Sequence, residues 1–309
     1  MHLSFHFLKK RHKEKFRWME HVFFGFCMGA ADVVPGVSGG TIAFVLGVYD
    51  DLIRSIGMLT NRIFLHTLWN KGPKHALAMI HWKLLVALAC GIVLAIITLS
   101  RLVEYLLSTM PIFIWSFFFG LIVASFLVLV RRVQSNTKSF FILLLTGTLV
   151  GYVIVGLTPI ETPTNWWFLV FSGAIAICAM ILPGISGSFI LVLLGKYAFI
   201  LQAVNERNIV PLFFVAIGAG LGLIFFTRII SWLLGNYHDQ TVSILIGLMV
   251  GSIRKIWPWK LVKGTTEYNI LPETLFDKTT VAAMLLIALG FVAIWFLEKI
   301  HRACSIHSQ

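Results

Sequence analysis

Two runs of small and hydroxylated residues interrupt apolar sequence, 148 positions apart. The first reads Asp32-Val-Val-Pro35-Gly36-Val37-Ser38-Gly39-Gly40-Thr41, and the second Met180-Ile-Leu-Pro183-Gly184-Ile185-Ser186-Gly187-Ser188. Pro35 and Pro183 donate no backbone hydrogen bond and disturb the preceding helical turn. Gly36 and Gly184 admit left-handed backbone, and the glycines that follow let a ligand come close. Ser38 and Ser186 suit the cap of the helix that resumes. A helix starting there presents free N–H groups and the positive end of its dipole, a combination that attracts carboxylate or phosphate. Ser38, Gly39, Gly40, Thr41, Ser186, Gly187 and Ser188 are therefore the candidate anion cradle.

Four ionisable residues could act with it. Asp32 lies just before the first break, at a helix carboxyl end where the dipole disfavours negative charge. Its counterpart is Met180, so the acid belongs to one copy only. An ionisable group in apolar sequence needs a partner, and Asp32 could pair with arginine, bind a cation or carry a coupling proton. Arg101 and Arg228 follow long apolar runs at equivalent positions, and the arginine fork suits phosphate. Each could equally snorkel at a helix end. Glu104, three residues beyond Arg101, could neutralise it.

The elements that must hold these residues belong to a membrane. Of 309 residues, 58% are hydrophobic and 12% charged, with mean hydropathy +0.89. This composition excludes a sizeable soluble domain. The net charge of +12 then reflects cytoplasmic segments and anionic headgroups, not nucleic acid. Cys27, Cys90, Cys178 and Cys304 form no CxxC pair and fit small core residues. The histidines show no HExxH spacing, and no metal or other cofactor is expected beyond a coupling proton or cation. Trp18, Trp115, Trp166, Trp167, Trp257 and Trp259 lie near segment ends, as an interfacial belt would place them.

Ten apolar segments can be marked, five in each half. They cover 18–34, 41–57, 84–107, 112–130 and 140–157, then 166–182, 188–204, 210–234, 240–257 and 280–297. A second block of matches, at an offset of 127, pairs Gly91, Arg101, Gly120 and Ser125 with Gly218, Arg228, Gly247 and Ser252. The expected architecture is all-α and polytopic, one membrane domain over 1–309 with repeats at 18–157 and 166–297. Five segments per repeat make the two copies inverted, each with a broken or re-entrant helix pair and three transmembrane helices. An arm of about 17 residues reaches roughly 25 Å against a core of about 30 Å, which favours re-entrant hairpins.

Charge supports this topology in most places. The basic N-terminus 1–17 and the loop 50–83, with Arg54, Arg62, Lys71, Lys74 and Lys83, are expected to be cytoplasmic. Arg131, Arg132 and Lys138 fall on the same side, as does the tail 298–309. The internal copy of the module argues against cleavage of the first as a signal peptide. One loop disagrees, because Arg254, Lys255, Lys260 and Lys263 would be external.

With its Gly-Ala-Ala-Asp32-Val-Val-Pro35-Gly36-Val-Ser38-Gly39-Gly40-Thr41 run, its Ile181-Leu-Pro183-Gly184-Ile-Ser186-Gly187-Ser188 run and Gly195-Lys-Tyr197 beyond, the chain resembles the PopT-type polyprenyl-phosphate transporters along nearly its whole length. That bacterial family was formerly classed as a domain of unknown function. The resemblance implies transport of undecaprenyl phosphate from the outer to the cytoplasmic leaflet of the inner membrane, recycling the carrier of cell-wall polymers. It also implies a transporter with no catalytic residues. Undecaprenyl-pyrophosphate phosphatases of the BacA type offer a competing resemblance through duplicated Pro-Gly-x-Ser-Arg-Ser motifs. Here Gly39 and Gly187 stand in place of that arginine, and no Glu-x-x-x-Glu pair is present. A small-anion transporter or channel is the third reading, since the paired break alone would serve it.

Overall fold

Apolar runs punctuated by glycine fold here as closely packed helices around two central interruptions. The computed structural model describes residues 18–34, 36–59, 61–133, 138–263, 266–272, 274 and 276–306. The basic segment 1–17 and Pro35 lie outside the described residues.

In the first half, α1 (residues 18–32) runs into the break and α2 (Gly39–Val45) resumes beyond it. Next come α3 (Tyr49–Leu59), α4 (Arg62–Lys71) and α5 (Pro73–Leu77). Three long helices complete the half: α6 (Trp82–Thr109), α7 (Pro111–Arg132) and α8 (Lys138–Gly156). The second half has α9 (Trp166–Ile181), α10 (Gly187–Leu193), α11 (Tyr197–Asn205), α12 (Ile209–Asn236), α13 (His238–Ser252) and α14 (Lys278–Ile306), the same order without counterparts of α4 and α5. Between α13 and α14, a 3-10 turn (Ile253–Ile256) leads to an antiparallel hairpin of β1 (Lys260–Lys263) and β2 (Thr266–Asn269). The protein is an all-α, multi-pass membrane protein with this small hairpin added. Five described helices, α6, α7, α8, α12 and α14, are long and apolar enough to cross a bilayer. The apolar segment expected at 240–257 forms the 15-residue α13, which the 3-10 turn extends to Ile256.

Lipid supplies little hydrophobic drive between helices, so close backbone approach at small residues carries the packing. Gly25 and Gly91 bring α1 against α6, where a Cβ on either would strike the carbonyls of Leu88 and Val22. Gly173 and Gly218 do the same for α9 and α12, against the carbonyls of Val215 and Val170. The last helix of each half packs on the other half: α14 lies on α7 through Gly290 and Gly120, and α8 on α13 through Gly147 and Gly247. The central core then forms around the breaks, where Val34, Val37, Val45, Leu46, Ile246 and Met249 are almost fully buried.

The second arm of each broken segment is shorter than expected. The runs 41–57 and 188–204 each break again, at Gly47 (φ 68°) and Gly195 (φ 62°). Left-handed glycine after a helix end closes the last carbonyls. Val48 N–H donates to Ala43 and Lys196 N–H to Leu191 in the same pattern. Consequently α2 and α10 have seven residues each, and α10 turns into α11 through 106°. A seven-residue helix rises only about 10 Å, so this arm by itself does not span. The loop 50–83 is largely helical, with Phe64, Ala76 and Ile80 forming a small core of their own. Of the cysteines, Cys27 and Cys178 are half-buried, but Cys90 faces outward, so it is not a core residue as expected.

Candidate functional site

Gly36 (φ 87°) and Gly184 (φ 88°) adopt the same left-handed backbone at the two breaks. The turn bonds around them also recur at the same spacing. Val34 N–H donates to Ala31 and Leu182 N–H to Ala179, while Val37 donates to Val34 and Ile185 to Leu182. The interruption is thus the same local structure made twice.

The two breaks touch. Thr41 Oγ1 accepts the Gly184 N–H at 2.9 Å, and Ser38 Oγ lies 3.4 Å from the carbonyls of both Met180 and Leu182. Tyr49 donates its hydroxyl to Ile181 at 3.3 Å, which satisfies another carbonyl freed by the second interruption. Ser38, Thr41, Ser186 and Gly187 are all buried at this junction. The structure therefore brings Ser38 and Thr41 of the first run against the backbone of residues 180–184, which directly precedes Ser186-Gly187-Ser188.

Their internal bonding differs. In the first break, Asp32 Oδ1 accepts the Gly39 N–H at 2.7 Å, Ser38 Oγ accepts Gly40 N–H at 3.2 Å, and the Ser38 carbonyl accepts Thr41 N–H. The start of α2 answers the unfavourable position of Asp32 at the end of α1. In the second break the Met180 side chain has no carboxylate to offer, and the Ser186 side chain caps no amide of α10. Instead Ser186 Oγ and Ser188 Oγ lie 2.7 Å apart.

A Cβ on Gly39 would strike the Asp32 carboxylate and sit 2.8 Å from the Met28 carbonyl. One on Gly187 would sit 2.7 Å from the Ala176 carbonyl. Neither position accommodates the arginine of the phosphatase-type motif without displacing backbone.

Arg101, Glu104 and Arg228 are exposed on α6 and α12. The contacts described above at the breaks are made by other residues. The cations that do approach come from the loop whose charge disagreed with the expected topology. Lys255 Nζ lies 5.2 Å from the centre of the Phe189 ring on α10, and its Cγ lies 3.4 Å from where a Cβ on Gly36 would be. Lys260 Nζ lies 4.3 Å from the Trp115 ring centre. Both lysines meet one carboxylate, with Glu267 Oε2 at 3.0 Å from Lys255 and 3.2 Å from Lys260. Burial lowers the Lys260 pKa below the usual lysine value, and Glu267 opposes the shift. Arg254 turns its guanidinium onto the Tyr152 ring at 4.2 Å.

Sequence reading assigned Trp115, Trp257 and Trp259 to an interfacial belt. Here Trp257 packs edge-on against Phe119 and beside Trp259, forming an aromatic wall next to Lys260. The available signal was the cationic loop that broke the charge asymmetry, because its lysines alternate with tryptophan in Lys255-Ile-Trp257-Pro-Trp259-Lys260. At the Gly47 turn lies a separate cavity of about 170 Å³, bordered by Tyr49, Asp50, His238 and Asp239. His238 Nε2 stands 3.2 Å from Asp50 Oδ2 there.

Comparison with known proteins identifies the family of this chain. The VCA0040-like family profile, described as undecaprenyl phosphate translocase-like, matches residues 28–271. The chain belongs to that family. A "Polyprenyl-phosphate transporter" of Vibrio cholerae is 47% identical over 237 residues, covering 76% of each chain. A Staphylococcus aureus protein of the same name is 33% identical over 265 residues, covering 79% of this chain and 88% of the relative. No solved structure matches the chain.

Proposed function

We propose that this protein carries polyprenyl phosphate, with undecaprenyl phosphate as the substrate, from the outer to the cytoplasmic leaflet of a bacterial inner membrane. This would return the lipid carrier to cell-wall polymer synthesis. The observation that carries the reading is the junction of two interrupted helices inside the core, through Gly184 N–H to Thr41 Oγ1. Interrupted backbone inside a membrane belongs beside protein or at a solvated transport path. Family membership supports the substrate class.

In this reading the halves 18–157 and 166–297 are inverted copies within one domain, and both termini are cytoplasmic. The phosphate passes the cradle of Ser38, Gly39, Gly40, Thr41, Ser186, Gly187 and Ser188 while the prenyl tail stays in lipid. Gly36, Pro183 and Gly184 hold the interruptions open. Arg101 and Arg228 balance charge as the headgroup arrives or leaves, with Glu104 tempering Arg101. Asp32 is the candidate for coupling to a proton or cation.

Surface exposure of undecaprenyl phosphate, compared in cells with and without the protein, tests the function. Higher exposure without the protein is expected, and equal exposure sinks the reading. In sealed vesicles the purified protein should move prenyl phosphate and not inorganic anions. The reverse result would favour the small-anion transporter.

A further inference from the structure

Two ammonium groups sharing one carboxylate leave a net positive charge. Lys255, Lys260 and Glu267 form such a group where the two breaks meet, with Lys255 set between Gly36 of the first and Phe189 just beyond the second. The side chain of Lys260 is only 12% exposed, and that of Lys255 is 26% exposed. Two such shielded lysines are unusual unless paired, and a single glutamate pairs them incompletely.

Their support is rigid. Asn269 Nδ2 donates to the Arg254 carbonyl at 2.8 Å, Trp257 Nε1 to Ile270 at 2.8 Å, and Ile270 N–H to Trp259 at 3.0 Å. These bonds tie the hairpin to the 3-10 turn and set both lysines before anything binds. Phe189, on which Lys255 rests, directly follows Ser186-Gly187-Ser188. The Trp115, Phe119, Trp257 and Trp259 wall supplies apolar surface on the Lys260 side.

Resting on the transport reading, we propose that Lys255 and Lys260 form the subsite that first takes the lipid's phosphate monoester, and that Glu267 is the resident anion the phosphate displaces. A phosphate monoester carries up to two negative charges and three acceptor oxygens, so it engages both ammoniums better than one carboxylate does. The aromatic wall then covers the first isoprene units. This commits the subsite to a prenyl ester in preference to free phosphate. Glu267 gives selectivity, because a weaker anion cannot displace it.

The test is binding of a short-chain prenyl monophosphate to the full-length protein in nanodiscs, with inorganic phosphate and the matching prenyl alcohol as separate arms. Lys255→Gln and Lys260→Gln should each weaken prenyl monophosphate binding by about tenfold, and lysine-to-arginine changes should preserve most of it. Glu267→Gln should tighten binding severalfold, an effect that misfolding cannot mimic. Inorganic phosphate and the alcohol should bind far more weakly than the ester. If the wild type binds the ester but neither lysine change weakens it, or Glu267→Gln weakens it as a lysine change does, the subsite is overturned while the transport reading stands. If the wild type neither binds nor moves the ester, both fall. Equal binding of inorganic phosphate and the ester would overturn the lipid assignment.

Discussion

The first break is closed on itself and the second is not. Asp32, Ser38 and the Ser38 carbonyl occupy the amides of Gly39, Gly40 and Thr41. At the second break the two serines bond to each other and the Ser186 side chain caps no amide, while Lys255 reaches both Phe189 and Gly36 of the first break. The same backbone turn has therefore been put to two uses. The Asp32 break is a strut that supports its twin through Thr41, Ser38 and Tyr49. In the proposed transport reading, the Ser186 break is the part of the cradle whose hydroxyls cap no helix amide and so are the readier to meet the headgroup. The backbone shape is shared, and the side chains differ where the bonding differs: Asp32 against Met180, Gly40 against Ser188 and Thr41 against Phe189.

Substitutions can break that comparison. The largest effect is expected at Gly39. In Gly39→Val the branched side chain meets the Asp32 carboxylate and the Met28 carbonyl. Overpacking together with a lost cap should remove roughly 3 kcal/mol. Thermal unfolding in detergent should show the loss, with transport failing only as the fold does. Retained stability with abolished transport would show that the first half of the cradle acts on the headgroup directly, beyond supporting the second.

Asp32 comes next. Asp32→Ala removes the acceptor for Gly39 N–H and should cost about 1–2 kcal/mol, whereas Asp32→Asn keeps an acceptor and most of the stability. Comparing transport by the stable Asn variant with its melting temperature sharpens the point. Wild-type transport would make Asp32 a strut alone, and lost transport in a stable protein would give it the coupling role. Ser186→Ala combined with Ser188→Ala should be milder for the fold, within about 1 kcal/mol, because neither hydroxyl caps the helix. Transport in vesicles should nonetheless fall about tenfold, roughly 1.4 kcal/mol in the barrier. Unchanged transport would remove the second break from the lipid's path.

Much of the scaffold was legible because its causes are local. Pro-Gly-x-Ser-Gly must interrupt a helix, and the +148 repeat of Gly36, Gly47 and their partners recurs in the backbone as identical φ signs and turn bonds. The second bend at Gly47 and Gly195 was missed because apolar residues on both sides hide a glycine that ends a helix. Ser38, Gly39, Gly40 and Thr41 were legible as a unit. Their contact with 180–184 depends on tertiary packing, which periodicity does not carry. The lysine subsite was hidden for a different reason. Positive charge outside a span is ordinarily read as topology, and only the fold shows Lys255 and Lys260 turned back onto Phe189 and Trp115. Arg101 and Arg228, matched in the repeat and suited to phosphate, lie exposed on the outer helices.

The smallest effect separates the cover of the second break from the strut by pH. Burial pushes the Glu267 carboxyl up, but Lys260 and Lys255 outweigh it and hold its pKa below the usual carboxylate range. The unfolded chain, with a glutamate pKa near 4.3, then binds the proton more tightly than the folded protein does. The ion pairs' contribution is complete above that pH and is lost as pH falls through the folded value. Because Glu267 is 41% exposed, solvent screening limits the contribution to less than about 1 kcal/mol. Lys260 acts at the other end of the scale. Its pKa is lowered chiefly by burial, so stability should rise slightly as pH climbs from its folded value toward about 10.4. Amide exchange at Ile270, whose N–H is held by the Trp259 carbonyl, reports the hairpin directly. Protection there should weaken on acidification in the wild type and change little in Glu267→Gln. Gly184 N–H, buried against Thr41, should keep its protection over the same range. Parallel loss at Gly184 and Ile270 would mean that the cover and the strut open as one unit, leaving no independent element over the second break for a headgroup to displace.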